Sequence, residues 1–118
     1  LSLAEALDAD AVVYGANAVD YSGYPDCRPG FVAAMGEVAR VGTKRGVEGS
    51  PIRVLAPLID WSKAAIIERG LEWGVDFAVT RSCYDTGADG APCGSCDSCR
   101  IRADGFSQAG ARDPALAG

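Results

Sequence analysis

The sequence predicts an α/β fold with a parallel sheet of which this chain carries only a part. The short apolar run Ala11–Tyr14 is typical of a strand that is buried on both faces, and Ile52–Leu55 is predicted as a second buried strand. A helix-length segment lies between them, and this strand–helix–strand order is typical of parallel sheets. About three strands are predicted in all, too few for a complete doubly wound sheet. We therefore expect the missing strands to precede Leu1.

The first half of the chain alternates predicted helices and loops around these strands. Leu1–Leu7 is predicted as the end of a helix with Leu3 and Leu7 on one face. Gly15–Asp26 is rich in turn-forming residues and is predicted as a loop. The next helix is predicted to begin near Pro29, which suits a first helical position. Its predicted buried stripe comprises Phe31, Val32, Met35, Val38 and Ala39.

The second half is predicted as helix, strand and helix after a loop over residues 42–51. Ser62 is predicted to cap a helix over Lys63–Arg69, with Gly70 as its stop. The apolar face of that helix comprises Ile66, Ile67 and Leu71. Val75–Val79 is predicted as a third strand. The last helix is predicted over residues 97–108.

Composition excludes several classes of function. The 118 residues hold 11 Lys and Arg against 16 Asp and Glu, a net charge of −5 that counts against a non-specific polyanion binder. The absence of histidine excludes His-based triads and His metal ligands. Leu1–Ala9 has no basic residue, so no signal peptide is expected, and no apolar run reaches the ~20 residues of a membrane helix. Two small basic clusters are interpreted as solvated surface: Arg40, Lys44 and Arg45, and Arg100 and Arg102.

Four cysteines form the strongest motif, with the spacing C-x9-C-x2-C-x2-C over Cys83, Cys93, Cys96 and Cys99. Gly94 permits a tight turn that brings the last three thiols together. Four cysteines fill the tetrahedral shell of zinc and leave no open position, which indicates a structural site. An iron–sulfur cluster, disulfides and buried thiols remain alternatives. Cys27 is interpreted as a small buried residue in preference to a reactive thiolate.

The loop after the first strand is the predicted ligand-binding segment, because ligands bind at the carboxyl ends of parallel strands. Its candidate substrate-binding residues are Asn17, Asp20, Tyr21, Ser22, Asp26 and Arg28. Together they suit a flat polar heterocycle that carries an anionic group, although turn chemistry explains any single one of them equally well. Lys44 is a further candidate for a phosphate contact; simple solvent exposure is its alternative.

Several motifs follow one another along nearly the whole chain. They are YGANAVDYSGYPDCRP from Tyr14, then Gly49–Arg53, Ala56–Asp60, Ser62–Lys63, Gly74–Asp76, Ser82–Asp85, Cys93–Arg100, Gly105–Phe106 and Asp113–Pro114. In this order they resemble the QueC family, the 7-cyano-7-deazaguanine synthases of queuosine biosynthesis.

The resemblance implies a Rossmann-like adenine-nucleotide alpha-hydrolase (PP-loop) fold in a cytoplasmic ATP-dependent ligase. Residues 1–81 would form the carboxyl-terminal half of the α/β domain, and residues 82–118 the zinc-binding segment and last helix. The family converts 7-carboxy-7-deazaguanine and ammonia to the 7-cyano compound. It binds one zinc through four cysteines, which correspond to the four named above. A homodimer is possible, and no nucleic acid or membrane is an expected partner.

Departures from the family pattern concern the nucleotide site above all. The family's Ser-Gly-Gly-x-Asp-Ser loop, which holds phosphate at a helix N-terminus, is absent from these residues, and family chains are roughly twice as long. We therefore expect the chain to be inactive alone. Gly30 replaces an expected acidic residue, and the Cys83–Cys93 spacing is one residue longer than usual. The alternatives are a related tRNA-thiolating or sulfur-transfer enzyme, for which only Cys27 is spare, and a zinc-knuckle binding module.

Overall fold

The structure, a computed structural model, describes residues 1–17, 23–88 and 90–116. It separates into two compact units, Leu1–Asp60 and Trp61–Gly118. The predicted division of one domain at residue 81 stays a prediction. No helix among the described residues is both long enough and apolar enough to cross a membrane.

The first unit is built on two parallel strands and the helix that connects them. Strand β1 (Ala11–Val13) pairs with strand β2 (Arg53–Leu55), with Val12 opposite Val54. Helix α2 (Pro29–Gly42) begins at the predicted residue and packs on β2. These are the strands that the described residues contain. The predicted parallel α/β arrangement is therefore confirmed for two strands.

The prediction that both faces of these strands are buried is wrong. Val12 and Val54 are half-buried, whereas Val13 and Leu55 are 62% and 37% exposed. Val13 and Leu55 are register partners, so they lie side by side on the same face. Successive side chains of a strand point to opposite faces, and the burial pattern therefore shows a sheet that is covered on one face within the described residues.

Helix α2 buries a narrower stripe than the sequence predicts. Val32 and Met35 are half-buried and Ala39 is fully buried, at the i, i+3, i+7 spacing of one helix face. Phe31 and Val38 are 38% and 47% exposed. The predicted stripe was too wide because it combined residues of two neighbouring faces.

Helix α1 (Ser2–Ala6) forms where it is predicted but turns a different face inward. Ala4 is buried, whereas Leu3 and Leu7 are 71% and 69% exposed. A helix of five residues has little more than one turn, so its inward face has room for about one side chain.

A short helix, α3 (Lys44–Val47), lies inside the segment that was predicted as a loop. The Thr43 hydroxyl starts it: Oγ1 accepts a hydrogen bond from the Gly46 N–H at 3.0 Å and donates one to the Ala39 carbonyl at 2.7 Å. A side-chain cap of this kind satisfies an N–H that has no partner inside the helix. Thr43 is buried with both bonds made.

Arg45 is an anchor of the first unit rather than solvated surface. Its guanidinium donates to the Ala9 carbonyl at 2.8 Å and to Asp10 Oδ1 at 2.9 Å, and the side chain is 20% exposed. These bonds hold α3 to the turn that precedes β1. Arg40 and Lys44, with side chains 58% and 79% exposed, agree with the predicted solvated surface.

In the second unit, helix α4 (Lys63–Glu72) begins as predicted and ends later. The Ser62 hydroxyl accepts a hydrogen bond from an N–H three residues on, at 3.1 Å. Gly70 does not stop the helix: it is buried inside it, and a Cβ there would lie 2.6 Å from Phe77 Cζ. The chain turns instead at Gly74, whose φ of +73° favours glycine. Gly70 therefore serves close packing rather than termination.

Helix α5 (Asp97–Gln108) has the predicted bounds and packs against α4. The helices approach closely at Gly105, where a Cβ would lie 3.0 Å from Ile67 Cδ1. Ile67 and Phe106 are each 2% exposed and form the centre of this unit. The Phe77 ring meets Phe106 edge-on at 5.3 Å.

The predicted third strand is wrong. Phe77–Val79 is a single 3₁₀ turn, because the Asp76 carboxylate accepts a hydrogen bond from the Ala78 N–H at 2.9 Å and closes the turn locally. Val75 and Val79 are 43% and 76% exposed, and it is the Phe77 ring of this run that packs inward, against Phe106. This turn packs on a second 3₁₀ turn, Pro114–Leu116.

Candidate metal centre

The four cysteines of the predicted site converge in space. The Sγ atoms of Cys83, Cys93, Cys96 and Cys99 all lie within 4.8 Å of one another. Every cysteine is a free thiol, and Cys99 is buried. Cys96 is the N-cap of α5 and Cys99 lies in its first turn, so the helix start fixes two of the four sulfurs.

A tight turn brings Cys93 toward the helix. Gly94 has a φ of +70°, a conformation that glycine adopts without strain. The Cys96 N–H and the Ser95 hydroxyl donate hydrogen bonds to Cys93 Sγ at 3.4 and 3.6 Å. The predicted role of Gly94 in the turn between Cys93 and Cys96 is therefore confirmed.

Backbone N–H groups also donate hydrogen bonds to the sulfur of Cys83, the cysteine farthest in sequence from the other three. Cys83 Sγ accepts hydrogen bonds from the N–H groups of Asp85 and Cys93, both at 3.3 Å. These two bonds fix the position of the Cys83 sulfur, and the bond from the Cys93 N–H ties it to the other end of the motif.

The pKa values of three of the thiols differ, because their hydrogen bonds and burial differ. Hydrogen bonds from Ser95, through its backbone and its hydroxyl, lower the pKa of Cys93 to about 6. A backbone hydrogen bond from Cys99 lowers the pKa of Cys96. Burial raises the pKa of Cys99 to about 12. A cation at the centre of the cluster would favour ionisation of the remaining thiols.

The donor set fits a tetrahedral metal ion. A Zn–S bond of about 2.3 Å gives sulfur–sulfur edges of about 3.8 Å, which lie within the observed limit of 4.8 Å. Disulfides are not formed by any of the four. The four cysteines could hold a metal ion and are compatible with zinc.

An ion pair that the sequence interpretation missed lies beside the cluster. Arg102 donates from Nε to Asp113 Oδ2 at 2.6 Å and from Nη2 to Asp113 Oδ1 at 2.8 Å. The two side chains are only 13% and 4% exposed, so the prediction of solvated surface is wrong for Arg102. The signal was present: Arg102 follows Cys99 by three residues and precedes Phe106 by four, so all three share one helix face.

The candidate substrate residues are only partly described by the structure. Asp20, Tyr21 and Ser22 lie outside the described residues. Asn17 is half-buried after β1. Asp26 lies in an exposed 3₁₀ turn, where its carbonyl accepts a hydrogen bond from the Tyr14 hydroxyl at 3.2 Å. Burial raises the pKa of Tyr14, which keeps this hydroxyl a donor.

The two cationic candidates lie at opposite ends of one helix. Arg28 is the N-cap of α2, and Lys44 follows its C-terminus. A helix of 14 residues is about 21 Å long, so a single small ligand does not reach both. Lys44 faces Glu48 at 3.9 Å. The substrate-binding assignment stays a prediction.

Comparisons with known proteins agree on one relationship. The family model of the queuosine biosynthesis protein QueC matches residues 1–110. The chain is 56% identical over 115 residues to a 7-cyano-7-deazaguanine synthase of Magnetococcus marinus. It is 53% identical over 116 residues to that of Hydrogenovibrio crunogenus and 56% identical over 116 residues to that of Stenotrophomonas maltophilia. Each match covers 98% of this chain and 50 to 52% of the relative. The chain therefore spans about half the length of the curated relatives it matches.

Proposed function

Because the chain belongs to the QueC family of queuosine biosynthesis proteins, we propose that it forms the carboxyl-terminal, metal-binding half of a 7-cyano-7-deazaguanine synthase. The observation that carries the proposal is the convergence of four cysteine sulfurs within 4.8 Å, inside a chain that matches such synthases over 98% of its length. The convergence of the sulfurs is a geometric fact that does not depend on the family match, so the two support the proposal separately.

The proposed reaction joins ammonia to the carboxylate of 7-carboxy-7-deazaguanine. A carboxylate is a poor acceptor for an amine, so ATP first adenylates it and releases pyrophosphate. Ammonia then displaces AMP and forms the amide. A second ATP adenylates the amide oxygen and again releases pyrophosphate, and loss of AMP and a proton leaves the nitrile. The name of the relatives, which gives a cyano compound as product, supports this outcome.

The proposed metal ion is one zinc per chain, held by Cys83, Cys93, Cys96 and Cys99. It would supply a structural crosslink and no reaction chemistry, because four thiolates leave no position open for substrate. Three of the ligands lie within seven residues of one another and the fourth is ten residues away. The metal site would therefore fix the segment around Cys83 to the start of α5.

In this proposal, ATP binds outside the 118 residues of this chain. The 118 residues contain no Ser-Gly-Gly-x-Asp-Ser loop, so we expect no turnover from this chain alone. The segment from Asn17 to Arg28 is the proposed substrate loop, at the carboxyl end of β1, where ligands of open α/β sheets bind. Free thiols suit a reducing compartment, which supports a cytoplasmic enzyme. We also propose that the whole protein forms a homodimer.

The metal site is tested by counting zinc. The wild-type chain should carry about one zinc, measured by elemental analysis after gel filtration, and Cys96→Ser should lose it. Cys27→Ser is the matched control, because Cys27 is the one cysteine of the sequence outside the cluster. Equal zinc in Cys96→Ser and Cys27→Ser would contradict the proposed site.

The activity is tested by complementation. The chain is mixed or co-expressed with the amino-terminal half of the Magnetococcus marinus synthase, and the nitrile product is followed by mass spectrometry with ATP and ammonia. Product should form with both halves and with neither half alone. Absence of product from a folded pair, while the intact relative turns over, would refute the proposal. Retained turnover with Cys27→Ser would exclude sulfur transfer through Cys27.

A further inference from the structure

We propose that Arg102 and Asp113 are positioning residues for the metal site, because they hold the segment that leads to Cys83 against the helix that carries Cys99. The inference rests on the metal site proposed above. Arg102 and Asp113 would not bind the metal themselves, but they would set the position of the Cys83 sulfur relative to the other three sulfurs.

The Arg102 guanidinium reaches across to the segment before Cys83. Nη1 donates to Thr80 Oγ1 at 2.7 Å, and Nη2 donates to the Phe77 carbonyl at 3.0 Å. Thr80 in turn donates from its hydroxyl to the same Phe77 carbonyl at 2.8 Å. Thr80 precedes Cys83 by three residues. Arg102 therefore holds the backbone that delivers the fourth sulfur.

Asp113 and the Phe106 ring fix the other side of the Arg102 guanidinium. Asp113 binds it through both carboxylate oxygens, and Asp113 Oδ1 also accepts from the Ala115 N–H at 3.0 Å. The Phe106 ring lies 5.3 Å from the guanidinium carbon. A bidentate pair of this kind fixes orientation as well as distance, and the two side chains have little freedom because they are buried.

The sequence positions of the four cysteines explain why the placement of Cys83 depends on Arg102 and Asp113. Cys93, Cys96 and Cys99 are brought together by one turn and one helix start, so short-range structure places them. Cys83 comes from a separate segment. Thr80, Cys83, Cys99, Arg102 and Asp113 all line one small cavity. Arg102 spans this space from the helix of Cys99 to Thr80, so its hydrogen bonds help to set the separation of the Cys83 segment from Cys99.

Two variants separate positioning from simple stability. Thr80→Val keeps the shape of the side chain and the Arg102–Asp113 pair but removes the oxygen that Arg102 Nη1 binds. Asp113→Asn keeps the shape and removes the charge. Arg100→Ala is the matched control, because Arg100 is exposed on the same helix. Ile67→Val is the stability control, because it trims the core without touching these contacts.

The experiment measures zinc affinity of the whole chain by chelator competition and the visible spectrum of the cobalt-substituted protein. Thr80→Val and Asp113→Asn should bind zinc roughly 10-fold more weakly and alter the cobalt–thiolate bands. Arg100→Ala and Ile67→Val should match the wild type in both readouts. Unchanged affinity and spectrum in Thr80→Val and Asp113→Asn would overturn the inference. A wild-type chain that binds neither zinc nor cobalt would overturn the proposed metal site as well, so the two failures are distinct.

Discussion

Gly70→Ala should destabilise the second unit although alanine is the better helix former. The exchange alone would stabilise a helix interior by about 1 kcal/mol. In the folded chain, however, the new Cβ would lie 2.6 Å from Phe77 Cζ. Relief requires a shift of nearly 1 Å in a ring that Phe106 contacts edge-on. Overpacking of this kind costs about 1 to 3 kcal/mol, so after the helix gain is subtracted we expect a net loss of up to about 2 kcal/mol.

Gly36→Ala is the matched control because Gly36 also lies inside a helix, but a Cβ at that position would meet no atom of another element within 4 Å. It should gain about 1 kcal/mol. Urea unfolding measures both, and about 1 kcal/mol moves the midpoint by roughly 0.5 M when the slope is near 2 kcal/mol/M. The reasoning is refuted if Gly70→Ala raises the midpoint as Gly36→Ala does. In a Phe77→Leu background, where Cζ is gone, Gly70→Ala should become stabilising.

Three further outcomes are expected. Ser62→Ala should lower the free energy of unfolding by about 1 kcal/mol, since the N-cap bond to the helix is lost; Ser62→Thr, which keeps the oxygen, should restore most of it. The hydrogen bond from Arg102 holds the pKa of Asp113 below its ordinary value, so its stabilisation is present above the unfolded pKa of about 3.9 and is lost as pH falls through the folded value. In urea titrations with a chelator present, the stability gap between wild type and Asp113→Asn should therefore shrink below pH 4, and a constant gap would contradict this. Gly46→Ala should cost about 3 kcal/mol in the same assay, because a Cβ would overlap the Ala39 and Arg40 carbonyls, which are backbone and cannot rotate away.

The parts of the fold that the sequence predicted correctly are those that local chemistry determines. Pro29 in the first turn of α2 and the Ser62 cap each act within a few residues, so their sequence positions suffice. The four-cysteine site is of the same kind, since three of its members come from one turn and one helix start. These signals need no knowledge of what lies across the core.

The parts that were missed depend on partners distant in sequence. Gly70 looks like a helix stop until the Phe77 ring is seen against it. The apolar run before Thr80 looks like a strand, but a strand needs a neighbour, and Asp76 offers a turn instead. Arg102 looks like surface because its partner, Asp113, lies eleven residues away beyond the end of α5.

The exposed pair Val13 and Leu55 has a consequence for handling the isolated chain. Their side chains leave apolar surface exposed on one face of the sheet, and exposed apolar surface promotes association between molecules. The net charge of −5 opposes such encounters at low ionic strength. Salt near 1 M shortens the reach of that repulsion to about 3 Å, so light scattering by the purified chain should rise with salt concentration.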